Sequence, residues 1–244
     1  MLIDTHCHLH DREFFSEEQA CEMLGRARQN GVEKIICIGT SDEDSLAARE
    51  FASRHDGVYW TYGIHPENAN GFESTFSSAG LVNPPVAVGE VGLDYHYEGY
   101  DREAQIRLFE EMLQLAVDND LPVSFHVREA FDDFFPVVAN FPEVRGVVHS
   151  FTDNKKVLKR ILTETDFYVG VNGLATYSTL PTPPLERILL ETDAPFLTPK
   201  PFRGIINESA YIRNIAEWLS EKLELDFEII EKETTKNASK LFRF

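Results

Sequence analysis

The sequence predicts an α/β fold, a (β/α)8 TIM-like barrel carried by one domain spanning residues 1–244. Three observations point there. Eight short apolar runs rich in valine and isoleucine recur along the chain, too short for helices and patterned like strands buried on both faces. Most of the segments between them carry residues that start and stop helices. A length of 244 residues is long for an ordinary domain and normal for one barrel. An open, doubly wound parallel sheet fits the same alternation and stands as the second reading.

In chain order the predicted strands are Leu2–Asp4, Lys34–Ile38, Val58–Tyr62, Val86–Val88, Pro122–Phe125, Gly146–Val148, Phe167–Val171 and Ile188–Leu190. After the first, Ser16 and Gln19 form a capping box ahead of Ala20, Met23, Leu24 and Ala27, and Gly31 closes that helix. Ser41 with Asp44 starts the next helix. Asp101 caps a longer one that sets Ile106, Phe109, Leu113 and Ala116 on a single stripe. Residues 208–222 and 227–242 read as closing helices. The stretch NGLATYSTLPTPPLE, residues 172–186, breaks the pattern. Pro181, Pro183 and Pro184 forbid a regular helix, so the last crossover is predicted to be mostly loop.

Composition narrows the function. With 43% hydrophobic residues the chain can bury a sizeable core. No apolar run reaches the roughly 18 residues of a membrane span, and the N-terminus lacks a basic segment leading into an apolar one. The three cysteines, Cys7, Cys21 and Cys37, are odd in number and lack CxxC spacing, which predicts reduced thiols in a cytoplasmic protein. The formal charge is −18, and it is unevenly spread. Residues 155–244 hold 13 of the 23 basic and 13 of the 41 acidic residues, leaving 10 basic against 28 acidic in residues 1–154. A broad cationic face for coating nucleic acid is excluded. An anionic substrate would need local positive charge, which bound divalent cations supply. Nothing in the sequence marks an obligate protein partner.

The unusual polar residues fall at strand ends. The chain opens MLIDTHCHLHD, where His6 and His8 end the first strand. Side chains two apart on an extended chain point the same way, so both rings can face one ion while Cys7 faces away. The competing reading is a solvated N-terminus with a chance histidine cluster. Glu90 ends the fourth strand, His126 the fifth, His149 the sixth, and Asp193 follows the eighth. In a parallel barrel the C-terminal strand ends share one mouth, where active sites are built. Four imidazoles and two carboxylates suit Zn, Mn or Fe, and Mg at a carboxylate-rich position. Six ligands exceed what one catalytic ion needs, since that ion keeps a position open. Two ions with Glu90 between them is the economical arrangement, able to clamp the oxygens of a displacement at phosphorus.

The motifs THCHLHD, GIHPEN, GEVGLDY, HVREAFDD, HSFTDN and ETDAPFLTPKPFRGIINE occur in an order and spacing that resemble the TatD family of metal-dependent deoxyribonucleases. The resemblance runs from residue 3 to the closing NASKLF. It implies a metal-dependent hydrolase barrel with two divalent ions (Mg, Mn or Zn) that cleaves DNA phosphodiesters, often from the 3′ end of single strands. It implies that His6, His8, Glu90, His126, His149 and Asp193 are metal ligands, and that His65 and Arg128 lie near the scissile phosphate, so that Asp193, Glu90, His65 and Arg128 carry the catalysis. The sequence departs from the family pattern in three places. HSFTDN lacks the usual glycine after Thr152, Ser209 replaces a common proline, and the stretch between the seventh and eighth strands is short.

Other readings remain at this point. An amidohydrolase, acting on a small molecule or on an aminoacyl-tRNA ester, often bridges its metals with a carboxylated lysine. There is no lysine between Lys34 and Lys155, so Glu90 would have to serve. A non-catalytic metal scaffold would saturate its ion and have little use for Arg128, whose guanidinium can fork onto phosphate oxygens. Arg128 could otherwise pair with Glu129 or Asp132, and His65 could be a turn residue held by Pro66 and Glu67. Asp94 reads as a residue that orients a ligand. Tyr95, Tyr97 and Tyr100 could stack an unpaired base or simply pack their loop.

Overall fold

The structure, a computed structural model, describes residues 1–70 and 83–244. Eight parallel strands pair in chain order: β1 (Leu2–Cys7), β2 (Val32–Cys37), β3 (Val58–Tyr62), β4 (Ala87–Asp94), β5 (Val123–Arg128), β6 (Gly146–Val148), β7 (Tyr168–Val171) and β8 (Ile188–Leu190). The last strand closes back on the first. The Thr5 hydroxyl donates to Leu190 O at 3.0 Å, Asp193 N–H to His6 O at 2.8 Å, and His8 N–H to Ala194 O at 2.8 Å. The fold is therefore the (β/α)8 barrel, and the open sheet is excluded.

The helices follow from their caps. Ser16 and Gln19 make the reciprocal capping box that starts α1 (Glu17–Gln29). The Ser41 hydroxyl accepts from Asp44 N–H to start α2 (Asp42–Arg54), and the Asp101 carboxylate accepts from Ala104 N–H to start α3 (Arg102–Asp118). Two further helices, α4 (Phe131–Val138) and α5 (Lys155–Glu164), follow β5 and β6. Between β7 and β8 there are only 3-10 turns, Gly173–Thr176 and Leu185–Arg187, as the prolines require. The first closing helix opens with a 3-10 turn, Ser209–Tyr211, before α6 (Ile212–Leu223), and α7 (Phe227–Phe242) completes the chain.

The barrel core has two layers. Ile3, Ile36, Ala87, Val147 and Leu189 fill the interior together with Ala238, Leu241 and Phe242 of α7. The Asn237 side chain donates to Leu185 O and Ile188 O, and the Thr235 hydroxyl to Met1 O, so α7 closes the N-terminal end of the strands. Helices cover the outside, with Phe125 at the centre of a ring cluster formed with Phe109, Phe134 and Phe167. One end is plugged by apolar side chains; the other remains for chemistry.

Three strands run further toward the mouth than the apolar runs predict. β1 continues from Asp4 to Cys7. β4 continues through Glu90 to Asp94, and β5 through His126 to Arg128, because Gly92 pairs with His126 and Asp94 with Arg128 in register. Polar side chains at that end face the mouth, so apolarity marks only the buried half of each strand. A side chain at Gly92 would put its Cβ 2.0 Å from His126 O, so the two strands can approach this closely only with glycine there.

Candidate metal centre

The strand ends open onto a cavity of about 850 Å³ lined by His8, His65, Glu90, His126, His149 and Asp193, with Arg128 and Tyr97 on its wall. His6 lies beneath, its side chain 1% exposed. The structure thus brings together all six candidate ligands with His65 and Arg128, from the ends of β1, β4, β5 and β6, the loop after β3 and the loop after β8. Cys7 packs in the outer layer, opposite its neighbours His6 and His8, after a register irregularity between Asp4 and Cys7.

The donor atoms crowd together. His6 Nε2 is 3.4 Å from Glu90 Oε2 and 3.5 Å from Asp193 Oδ1. His8 Nε2 is 3.5 Å from the same Asp193 oxygen, and His149 Nε2 is 3.9 Å from it and 3.7 Å from Glu90 Oε1. The His6 and His149 rings stack 3.5 Å apart, nearly parallel at 15°. His126 sits between two carboxylates of β4, Nδ1 at 2.7 Å from Glu90 and Nε2 at 2.8 Å from Asp94. Among the described residues, three sets lie within 4.8 Å as potential metal-binding groups: His6, His149 and Asp193; His6, His8 and Glu90; His65, Glu90 and His126. His6 Nε2 is buried with no hydrogen-bond partner. A buried ring nitrogen aimed at two carboxylates and bonded to neither fits a cation placed between them.

Electrostatics tie these groups into one unit. Burial alone would raise Glu90, but the His149 and His6 imidazoles and the hydrogen bond from His126 hold it well below the usual carboxylate range. Against the same desolvation, Glu191, Glu90 and Asp193 push His149 up to about 10, and Asp94 and Glu90 push His126 up to about 9. His6, desolvated and next to His149, is pushed down. The carboxylates therefore demand positive charge in the cavity, and either imidazolium protons or divalent cations supply it.

His65 stands apart from that demand. Burial pushes its imidazole down to about 4, so it is neutral near pH 7. Its Nδ1 accepts from Glu67 N–H at 3.3 Å, which leaves the proton on Nε2. Arg128 lies over the Tyr97 ring, guanidinium carbon 5.2 Å from the centroid. Glu129, its acidic neighbour in sequence, pairs with His96 Nδ1 at 2.7 Å instead. Four residues with side chains hold a left-handed backbone around the mouth: Glu129, Ser150, Asp193 and Leu197, with φ from 46 to 59°. Such conformations concentrate at functional sites.

Sequence reasoning missed Glu191. It is fully buried, its Oε1 accepts from Ser150 N–H at 2.7 Å, and the same oxygen lies 3.1 Å from His149 Nδ1. The signal was present, because Glu191 stands two positions before Asp193. Ser124, whose hydroxyl is 3.4 Å from His6 Nδ1, carried no such signal. The tyrosine cluster behaves differently from a base-stacking triad. Tyr95 and Tyr100 stack on each other 4.5 Å apart and Tyr95 bonds Asp133, leaving Tyr97 alone toward the cavity.

A closed (β/α)8 barrel with imidazole and carboxylate donors converging at the C-terminal strand ends defines a metal-dependent hydrolase. The family model described as TatD related DNase matches residues 3–243. A metal-dependent hydrolase of Bacillus subtilis, YabD, is 33% identical over 258 residues, covering 100% of this chain and 99% of that protein. The 3′-5′ ssDNA/RNA exonuclease TatD of Cronobacter turicensis is 34% identical over 242 residues, covering 91% and 90%. The crystal structure of YjjV, a TatD homolog of Escherichia coli K12, superposes with a TM-score of 0.86 at 29% identity, covering 100% and 98%. The chain belongs to the TatD-related DNase family. No helix among the described residues is long and apolar enough to cross a membrane.

Proposed function

We propose that this chain is a cytoplasmic phosphodiesterase that hydrolyses nucleic acid, preferring single-stranded DNA or frayed ends and working from the 3′ end, with all its parts in one barrel domain. The observation that carries the reading is the cavity itself. Four imidazoles and two carboxylates from the ends of five strands meet there, with an unbonded buried His6 nitrogen and with Arg128 and His65 on the same wall. The exonuclease name of the Cronobacter turicensis relative supports the nucleic-acid substrate.

In this reading His6, His8 and Asp193 would hold one divalent ion and His126 and His149 a second, with Glu90 available to both. Such ions, when bound, favour ionisation of water and offset charge building on the phosphate oxygens. The chain's own groups do the rest. Asp94 and Glu191 hold His126 and His149 in orientation through their second ring nitrogens. Asp193 accepts the proton of the attacking water as its oxygen bonds to phosphorus. Arg128 and the Nε2–H of His65 donate to the non-bridging oxygens, where negative charge grows. The ester bond to the leaving oxygen breaks, that oxygen takes up a proton, and the products are a phosphate monoester and an alcohol.

The test uses protein stripped of metal and reloaded with Mg, Mn or Zn, incubated with end-labelled single-stranded and duplex DNA. A ladder growing from the 3′ end of the single strand is expected, with Glu90→Ala and Asp193→Ala folded and inactive. Silence on DNA with turnover of a small amide or an aminoacyl ester would overturn the reading, as would near wild-type nuclease rates in either variant.

A further inference from the structure

Two phenylalanine rings stand in solvent at the cavity mouth. Phe14, in the loop after β1, is 45% exposed, while its neighbour Phe15 is 2% exposed in the core. Phe196, in the loop after β8, is 46% exposed. The two rings meet edge to face, 5.2 Å between centroids, and both line the cavity. Large apolar rings gathered at the mouth of a polar site, rather than scattered singly over a surface, mark a binding surface.

Both rings are fixed to candidate metal ligands. Phe196 N–H donates to Asp193 O at 2.8 Å, and the fully buried Asn207 side chain donates to Phe196 O. On the other side, Asp11 N–H donates to His8 O and Phe15 N–H to Asp11 O, each at 3.0 Å, which holds the turn carrying Phe14. The Phe196 ring lies 6.4 Å from the His8 ring, about one aromatic ring's reach from the reacting centre. In an eight-stranded barrel closed in chain order, β1 and β8 lie across from β4 and β5. The phenylalanines therefore face Arg128 and Tyr97 across the cavity.

We infer that Phe14 and Phe196 form a stacking shelf for an unpaired nucleobase next to the scissile phosphate; this deepens the proposed phosphodiesterase reading and rests on it. Charge points the same way. At a net −18, with Asp11 and Glu67 on the cavity wall, the surface repels a polyanion. Attraction to a nucleic acid has to come from something other than a cationic face, and stacking on an aromatic ring is tolerant of sequence because every base has a π-face. A base held in a duplex cannot reach the shelf, so the shelf selects single strands and frayed ends.

The test compares metal-loaded protein on a short oligothymidylate with the same oligomer carrying a single abasic (tetrahydrofuran) residue beside the cleaved bond. Wild type is expected to show a KM lower by roughly 5- to 150-fold on the intact oligomer, the range that loss of one base–aromatic stack gives. Phe14→Leu and Phe196→Leu keep apolar volume without a ring and are expected to erase that discrimination through KM, whereas Phe196→Tyr restores it. A merely structural role would lower kcat on both oligomers and leave their ratio intact. Equal wild-type KM values for the two oligomers overturn the shelf alone and leave the phosphodiesterase reading standing. Wild type that cleaves neither overturns both.

Discussion

Glu191 offers the sharpest perturbation of the centre that does not remove a candidate ligand. Its carboxylate is fully buried, and one oxygen accepts from Ser150 N–H at 2.7 Å and Asn172 Nδ2 at 3.3 Å and lies 3.1 Å from His149 Nδ1 as an ion pair without a hydrogen bond. The other oxygen, Oε2, is buried without a hydrogen-bond partner. Glu191→Gln can keep the first oxygen and its bonds. It places an amide NH2 where Oε2 was, at a site that offers no acceptor, which costs about 1–3 kcal/mol. In a chain of this length that is roughly 2–12 °C in Tm. It also takes away the negative charge that raises the basicity of His149, and loss of such an outer partner weakens metal binding about 10- to 100-fold. Titration calorimetry of stripped protein with manganese, alongside thermal unfolding, reads the two effects separately. A lower Tm with unchanged manganese affinity would refute the orienting role and leave Glu191 a packing residue.

Three further outcomes follow from the same arrangement of side chains. Gly170→Ala would put a Cβ 2.3 Å from Glu191 Oε2, so the carboxylate must shift; stability should fall by about 1–3 kcal/mol in denaturant unfolding, with a manganese affinity loss like that of Glu191→Gln. Phe125→Ala removes a fully buried ring packed on Phe109, Phe134 and Phe167 and should cost about 3–5 kcal/mol by the same measurement. His8, His126 and His149 are all raised by the carboxylates around them, so an ion taken up by these rings competes with protons. Calorimetry in buffers of different ionisation enthalpy should therefore register proton release on loading, and manganese affinity should climb between pH 7 and 9. An affinity flat across that range would contradict the assignment of these rings.

Much of this arrangement was legible in the sequence, for identifiable reasons. All eight apolar runs became strands, because a strand covered on both faces has to be apolar along its buried length. Ser16, Ser41 and Asp101 announced their helices through hydrogen bonds that are local in sequence. The ends of β4 and β5 were not legible, since Glu90, Asp94 and His126 are polar for the sake of the cavity and conceal the continuing ladder. His6, His8, Glu90, His126, His149 and Asp193 could be grouped because a parallel barrel brings its strand ends to one place. Their pairwise partners could not be read. The contact of His126 with Asp94 depends on register between strands, and that of His149 with Glu191 on a side chain crossing over Gly170. The exposure of Phe14 beside a buried Phe15 is likewise a property of the packed turn rather than of the residues.

The measurement that bears most directly on the central claim is anomalous diffraction from a crystal soaked in manganese. Two peaks are predicted in the cavity, one against His6, His8 and Asp193 and the other against His126 and His149, with Glu90 touching both. Density holding no peak among these side chains, or a single ion that leaves His126 bound to Asp94 and Glu90 as now, would contradict the two-ion centre.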